Sequence, residues 1–307
     1  MEGLVKLDRI DISILVELQK DGRMTNVSLA DAVGLSASPC LQRVKRLESA
    51  GYISSYKAHL NLAKITDSVT VFTEVTLSDH KREDFAKICI AQRDNALAIP
   101  FAMMKKKLTL DDYMTARSIA DPIHLFDCVM PCAGAEAFLV CREDTAKSLK
   151  LPYVRILSTI ERHNAFASDP IQIRGGWAVD IADLWSMAGL APDAVDFVQT
   201  YDDYPVIVMM QFEDLGFCKK GEGPDFVRTH TFTNDGSFPH NTSGGQLSVG
   251  QAGAGGGLLG LVEAVRQLIG APLGSPVREA RTCVVSGFGM INYDRGLSSA
   301  AAIFAGA

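Results

Sequence analysis

Ser36, Ser38, Gln42, Arg43, Lys45 and Arg46 crowd into one short stretch, and a polar, cationic set of that kind can grip a nucleic acid. Arginine and lysine bind phosphate oxygens, while hydroxyl and amide side chains reach base edges. A second group points to different chemistry. Asn241, Gly244, Gly245 and Gly250 lie in NTSGGQLSVGQAGAGGG, directly before an apolar helical pattern. A glycine-dense loop opening a helix leaves backbone N–H groups at the positive end of the dipole, a seat for a phosphate or a developing oxyanion. Gly255, Gly257 and Gly260 also satisfy G-x-G-x-x-G. The last two fall inside the helical pattern and the lysine of a phosphate loop is missing, so dinucleotide binding is not expected. His124, Cys128 and Cys132 recur at even spacing, but Pro131 interrupts a helix and no fourth ligand is evident, so no metal is expected.

These residues need elements to position them. Ile10, Ile14, Leu15 and Leu18 recur at helical spacing after Asp8, a suitable N-cap, and Asp21-Gly22 ends the helix. Thr25 caps a second, short helix with Leu29, Ala30 and Val33 inward, and Gly34 permits the tight turn that follows. Ser36 is then the N-cap of a helix with Pro39 in its first turn and Leu41, Val44 and Leu47 as the expected buried stripe. Ser38, Gln42, Arg43, Lys45 and Arg46 take the opposite face. A short helix, a glycine turn and a second helix with a basic outer face is what major-groove reading requires, although an ordinary three-helix core with a solvated face shares the pattern.

A chain of 307 residues is longer than one hydrophobic core usually supports, so two domains are expected. Apolar residues make up 47% and charged residues 21%. No apolar run approaches the roughly 18 residues that cross a bilayer, the start of the chain lacks a signal-peptide core, and seven unevenly spaced cysteines suggest reduced thiols, so a cytoplasmic protein without a membrane partner is expected. The net charge of −6 resides in residues 89–307; residues 1–88 carry 12 basic and 12 acidic side chains. Local clustering, not bulk charge, points to nucleic acid.

From LDRIDISIL through DGRMTNVSLADAVGLSASPCLQRVKRLESAGYI the chain closely resembles leucine-responsive/asparagine-type (feast/famine) transcription regulators. The resemblance implies a winged-type helix-turn-helix over 1–57, with 36–49 as recognition helix and double-stranded DNA as partner. It also implies that SSYKAHLN, VTVFTEVTLS and KREDFAKI begin an α+β ligand-sensing domain over 58–88. The rest of that domain is missing, so amino-acid sensing is not expected.

Beyond Ile88 the pattern alternates. AFLVC reads as a buried strand, IADLWSMAGL as a helix, AVDFVQTYDD as a strand entering a loop and VIVMMQFEDLGF as a buried helix. LLGLVEAVRQLIG sets Leu258, Leu261, Val262, Val265, Leu268 and Ile269 on one helical face, and ARTCVVSGFGMI and AAIFAGA read as closing strands. The expected class is a multidomain chain, an all-α helix-turn-helix followed by an α/β unit. DPIHLFDC, YDDYPVIVMMQFEDLGFCKKGEG, FPHNTSGGQLSVGQAGAGGGLLGLVEAVRQL and SGFGMINYDRG resemble the C-terminal half of thiolase-like proteins over 89–307, near the sterol-carrier-type thiolases and acetyl-CoA acetyltransferases.

That second resemblance implies an acyl-CoA thioester as ligand, with no other cofactor. Its catalytic set is incomplete here. Gly250-Gln251-Ala252 stands where thiolases carry a Gly-His-Pro turn with a general-base histidine, and glutamine cannot take the proton. Tyr201-Asp202-Asp203-Tyr204 replaces the usual catalytic loop, Cys283 is out of register, and the half that bears the nucleophilic cysteine is mostly absent. His240 and Asp202 remain as catalytic candidates, with Asn241, Gly244, Gly245, Gly250 and Gln251 as the acyl-CoA or oxyanion loop. Three readings follow: a DNA-binding regulator with a non-catalytic thiolase-like half; an acyl-CoA acyltransferase subunit whose nucleophile comes from another chain; and a gene-fusion product without integrated function. Apolar helix faces in LLGLVEAVRQLIG and VIVMMQFEDLGF are expected to be uncovered, calling for a homo-oligomer or a partner protein over the thiolase-like half.

Overall fold

The computed structural model describes residues 7–53, 55–56, 81–169, 171–292 and 295–307. The chain forms two compact units, 1–73 and 74–307. Nearly all of SSYKAHLN and the whole of VTVFTEVTLS lie outside the described residues.

In the first unit α1 (Arg9–Lys20), α2 (Asn26–Ala32) and α3 (Ala37–Ser49) follow the expected order. Asp8 and Asp11 form a capping box at the head of α1, each accepting the other's backbone N–H. Thr25 caps α2 through Ser28 N–H, and Gly34 turns the chain at φ +70°. Ile14, Leu29, Ala30, Cys40, Val44 and Leu47 make the core. The expected stripe needs one correction. Cys40, not Leu41, lines up with Val44 and Leu47, and Leu41 is 43% exposed on the outer face.

The second unit opens with α4 (Arg82–Ala96), which runs through the expected 88/89 boundary without a break. Its Phe85, Ala86, Ile88, Cys89 and Ala91 share one core with Val208, Met209, Phe212 and Leu247. Residues 82–88 are therefore packed into the second unit, because their apolar stripe continues through Ala91 on the same helix. Next come α5 (Leu110–Met114), a small ladder of β1 (Ser118–Ala120) and β2 (Ile123–His124), and α6 (Glu143–Ser148). The scaffold proper is a mixed sheet in the order β3 (Val154–His163), β6 (Arg295–Gly306), β5 (Thr282–Asn292), β4 (Phe197–Gln199), with only β4 and β5 parallel.

The alternation of a strand assigns successive residues to opposite faces. Val198, Val284 and Ile303 pack with Trp177, Leu184 and Trp185 of α7 (Trp177–Ala188). Their neighbours Phe197, Cys283 and Phe304 pack with Ala264 and Leu268 of α11 (Leu259–Leu268). The sheet is thus a filling between two helical layers. α8 (Pro205–Asp214), α9 (Gly223–Thr229) and α10 (Gly245–Val249) complete the unit beside α4.

Three expectations fail here. AFLVC is not a strand: residues 137–141 have no regular structure, and Phe138, Leu139 and Val140 are exposed, because no neighbouring strand supplies a ladder. The helices expected to be uncovered are instead covered. Val208, Met209 and Phe212 of α8 and Leu259, Val262 and Leu268 of α11 are buried. The face of α11 is also rotated from expectation. Leu258 sits exposed in the 3₁₀ turn before it, while Leu259, Glu263 and Gln267 point inward.

Candidate functional site

The outer face of α3 is set by what holds its arginines. Arg43 Nη1 donates to Asp8 at 2.6 Å and to Asp11 at 2.8 Å, and Arg46 Nη2 pairs with the other Asp11 oxygen. Asp11 is wholly buried, so its charge depends on these partners. The Asp11 N–H and the Arg43 guanidinium hold the Asp8 carboxyl down at about 2. Arg43 and Arg46, expected as outward cations, are therefore turned back onto α1. Ser38, Gln42 and Lys45 stay exposed one helical turn apart, beside exposed Leu41. Asn26 Nδ2 ties α2 to the Ala37 carbonyl at 2.7 Å, fixing the start of the helix. Ser36 occupies the N-cap position, but its side chain makes no cap bond.

In the second unit the expected catalytic residues His240 and Asp202 are held by different partners. His240 is wholly buried between Phe212 and Phe232, at centroid distances of 5.0 and 5.9 Å. Its Nε2 meets Thr200 Oγ1 at 2.8 Å, while Nδ1 has no protein partner. Burial pushes the imidazole down to about 3. It is a neutral core histidine facing rings.

Asp202 is likewise buried, and burial raises it to about 6 although the Gln246 and Leu247 N–H groups donate to it. Those bonds are 3.0 and 3.2 Å, and Gln92 Nε2 adds a third at 3.1 Å. Asp202 thereby seats the first turn of α10. Gly245 is required there. Its φ is +59°, and a Cβ would stand 2.1 Å from Asp202 Oδ2. Gly244, at φ +99°, lets the loop approach α4, where a Cβ would meet Ala96 Cβ at 2.4 Å. Asn241 accepts from Thr200 N–H at 2.8 Å and leaves Nδ2 buried without a partner.

A different cluster forms at Gly250-Gln251. Gln251 Nε2 donates to Asp203 at 2.5 Å and Tyr201 OH donates to its other oxygen at 2.9 Å. Burial raises both Asp203 and Tyr201, and the Tyr201 and Gln251 bonds oppose the rise for Asp203. Cys132 lies against this turn: its N–H donates to Gln251 O at 2.9 Å, and a Cβ on Gly250 would be 2.8 Å from its Sγ. The cluster offers a carboxylate proton acceptor flanked by a phenol and an amide donor. Sequence reasoning singled out Asp202 in this loop; every residue from Phe197 to Thr200 is buried, so no alternation in the strand could have told it apart from Asp203. Cys283 is buried under α11. Cys128 and His124 are held locally, with Cys128 Sγ 3.6 Å from the His124 carbonyl and His124 Nδ1 2.9 Å from that of Pro122.

Comparison with known proteins divides the chain in the same way. Residues 7–54 match the family described as winged helix-turn-helix DNA-binding, and residues 171–302 the family described as thiolase C-terminal domain-like. The leucine-responsive regulatory protein of Escherichia coli is 57% identical over 72 residues, 24% of this chain and 44% of that protein. A steroid side-chain-cleaving aldolase of Thermomonospora curvata is 31% identical over 216 residues, 68% of this chain and 54% of its own length. A 17-hydroxy-3-oxo-4-pregnene-20-carboxyl-CoA lyase of Mycobacterium tuberculosis is 31% identical over 222 residues, 70% of this chain and 57% of its own. The solved Ltp2-ChsH2(DUF35) aldolase shares the fold at TM-score 0.59 with 24% identity, over 74% of this chain and 59% of that one. The chain spans about half the length of the curated relatives it matches. It joins a helix-turn-helix segment of the leucine-responsive type to a thiolase- and aldolase-like α/β unit, and no helix among the described residues is long and apolar enough to cross a membrane.

Proposed function

We propose that this chain is a sequence-specific DNA-binding protein that reads the major groove with Ser38, Gln42 and Lys45 of α3, and that its thiolase-like unit is not by itself a catalyst. The observation that carries the reading is the capture of Arg43 and Arg46 by Asp8 and Asp11. It orients α3 rigidly and leaves the short polar side chains near its start for base edges, with Leu41 available to a thymine methyl and Lys45 to a phosphate. In the second unit the buried, neutral His240 and the amide of Gln251 leave no general-base histidine at the loop, in keeping with a unit that is covered by another chain or binds a CoA thioester without turning it over. Selection of duplexes from a random pool by the full-length protein tests the proposal. One enriched motif is expected, and a pool that stays random argues against it.

One observation favours a second reading. The Tyr201, Asp203 and Gln251 cluster beside Cys132 keeps a carboxylate base between two donors, a set suited to moving a proton at a carbonyl, and two relatives are named as an aldolase and a lyase. On this reading the unit works as a carbon–carbon bond enzyme only with a second chain. The isolated chain is expected to leave acetoacetyl-CoA uncleaved by CoA. Turnover well above that of a cysteine-alkylated control argues for a self-sufficient site.

A further inference from the structure

Residues 137–141 pose a physical problem that the fold leaves open. Leu139 is 80% and Val140 72% exposed, more than any other large apolar side chain among the described residues, with Phe138 at 47%. The stretch is β-branched and aromatic, free of proline and glycine, and its backbone is in no ladder. A strand former with open N–H and C=O groups is a template for another chain. Its charges say which chain. Glu136, partly buried and near Arg266, precedes the apolar run and Arg142 follows it, so the segment is complementary to itself when reversed if Glu136 turns from Arg266 to the second copy.

We infer that residues 136–142 of two copies of this chain pair antiparallel about Leu139, forming a two-fold dimer. In that register Leu139 meets the second copy's Leu139, Phe138 meets Val140, Ala137 meets Cys141, and Glu136 meets Arg142 at both ends. The alternation is consistent: Glu136, Phe138, Val140 and Arg142 share one face and Ala137, Leu139 and Cys141 the other. Aromatic and β-branched side chains directly opposite, bracketed by opposite charges, are favourable cross-strand pairs. A closed two-fold contact uses one patch on both copies and does not propagate into fibres. Arg142 already pairs with Asp144, but both side chains are well exposed at 84% and 64%, so exchanging that surface pair for Glu136 costs little. The inference rests on the reading that another chain covers the second unit, and names that chain as a second copy. The dimer carries two recognition helices, which suits an inverted-repeat site.

The test uses the full chain in a Cys141→Ser background. Leu139→Cys places a thiol on the two-fold axis, where directly opposite Cα atoms are about 4.5–5.5 Å apart, within disulfide reach. Under a mild copper oxidant this variant is expected to form covalent dimers, while Leu149→Cys, an equally accessible control at 62% exposure, is not. Val140→Lys, which sets a cation against Phe138, is expected to shift sedimentation toward monomer. A wild type that self-associates while Leu139→Cys cross-links no faster than Leu149→Cys overturns the pairing and spares the covering reading. A wild type that sediments as a monomer at tens of micromolar overturns both.

Discussion

Arg43 Nη1 lies 2.8 Å from Asp11 Oδ1, joining α3 to the first turn of α1 across 32 residues of sequence. Asp11 also accepts the Asp8 N–H and meets Arg46, so one buried carboxylate caps one helix and orients another. Asp11→Ala removes all three contacts and is expected to destabilise the first unit by about 1–3 kcal/mol. Trp177 and Trp185 both lie in the second unit. Urea unfolding followed by circular dichroism should therefore show an earlier loss of helix while tryptophan emission is unchanged; a shift in the emission curve alone would contradict the assignment.

His240 predicts a pH dependence. Its imidazole is pushed down to about 3 in the folded unit from about 6.5 in an unfolded chain, so the unfolded state binds more protons between those values. Its contribution is complete above about pH 6.5 and is lost as pH falls toward 3. Buried Asp202, raised to about 6, acts in the opposite sense: the folded state holds more protons between about 4 and 6, and stability falls as pH rises through that window. His240→Phe isolates the histidine. The stability difference between wild type and variant is expected to move in the variant's favour by on the order of 3 kcal/mol from pH 6.5 to 4. A difference flat across that range would mean that His240 takes up its proton in the folded state.

Gly245→Ala is expected to cost more than about 2 kcal/mol, because φ +59° is coupled to a 2.1 Å clash with Asp202. Thermal melting read by tryptophan emission checks it, and an unchanged midpoint would show that Asp202 moves aside freely.

Leucine is expected to leave DNA affinity unchanged, since from α4 onward the chain packs as the thiolase-like unit. Repeating a DNA titration at millimolar leucine checks this, and a clear shift would reveal a sensing pocket.

Much of the first unit was legible, since Asp8, Thr25 and Gly34 carry local signals that need no tertiary partner. Leu41 and Cys40 were exchanged because either continues a helical stripe with Val44 and Leu47, and only packing against α1 and α2 decides which faces inward. The fate of the arginines was hidden for the same reason: Asp11 lies far away in sequence. In the second unit AFLVC reads as a buried strand from its residue types, yet a strand exists only where a neighbour completes its ladder. The different partners of the two carboxylates, the start of α10 for Asp202 and Tyr201 with Gln251 for Asp203, depend on how one loop meets α10. The continuity of α4 across residue 88 was obscured because resemblance to one family ended near the helix's first turns.

The central claim is that Ser38, Gln42 and Lys45, not the captured arginines, form the reading face. Fluorescence anisotropy with the selected duplex, across a salt series, tests it most directly. Gln42→Ala is expected to weaken binding by about 1–3 kcal/mol and relax preference at one base position. Lys45→Ala should weaken all duplexes alike and lower the salt slope by about one. If both variants bind as tightly and as salt-dependently as the wild type, α3 does not read DNA through this face.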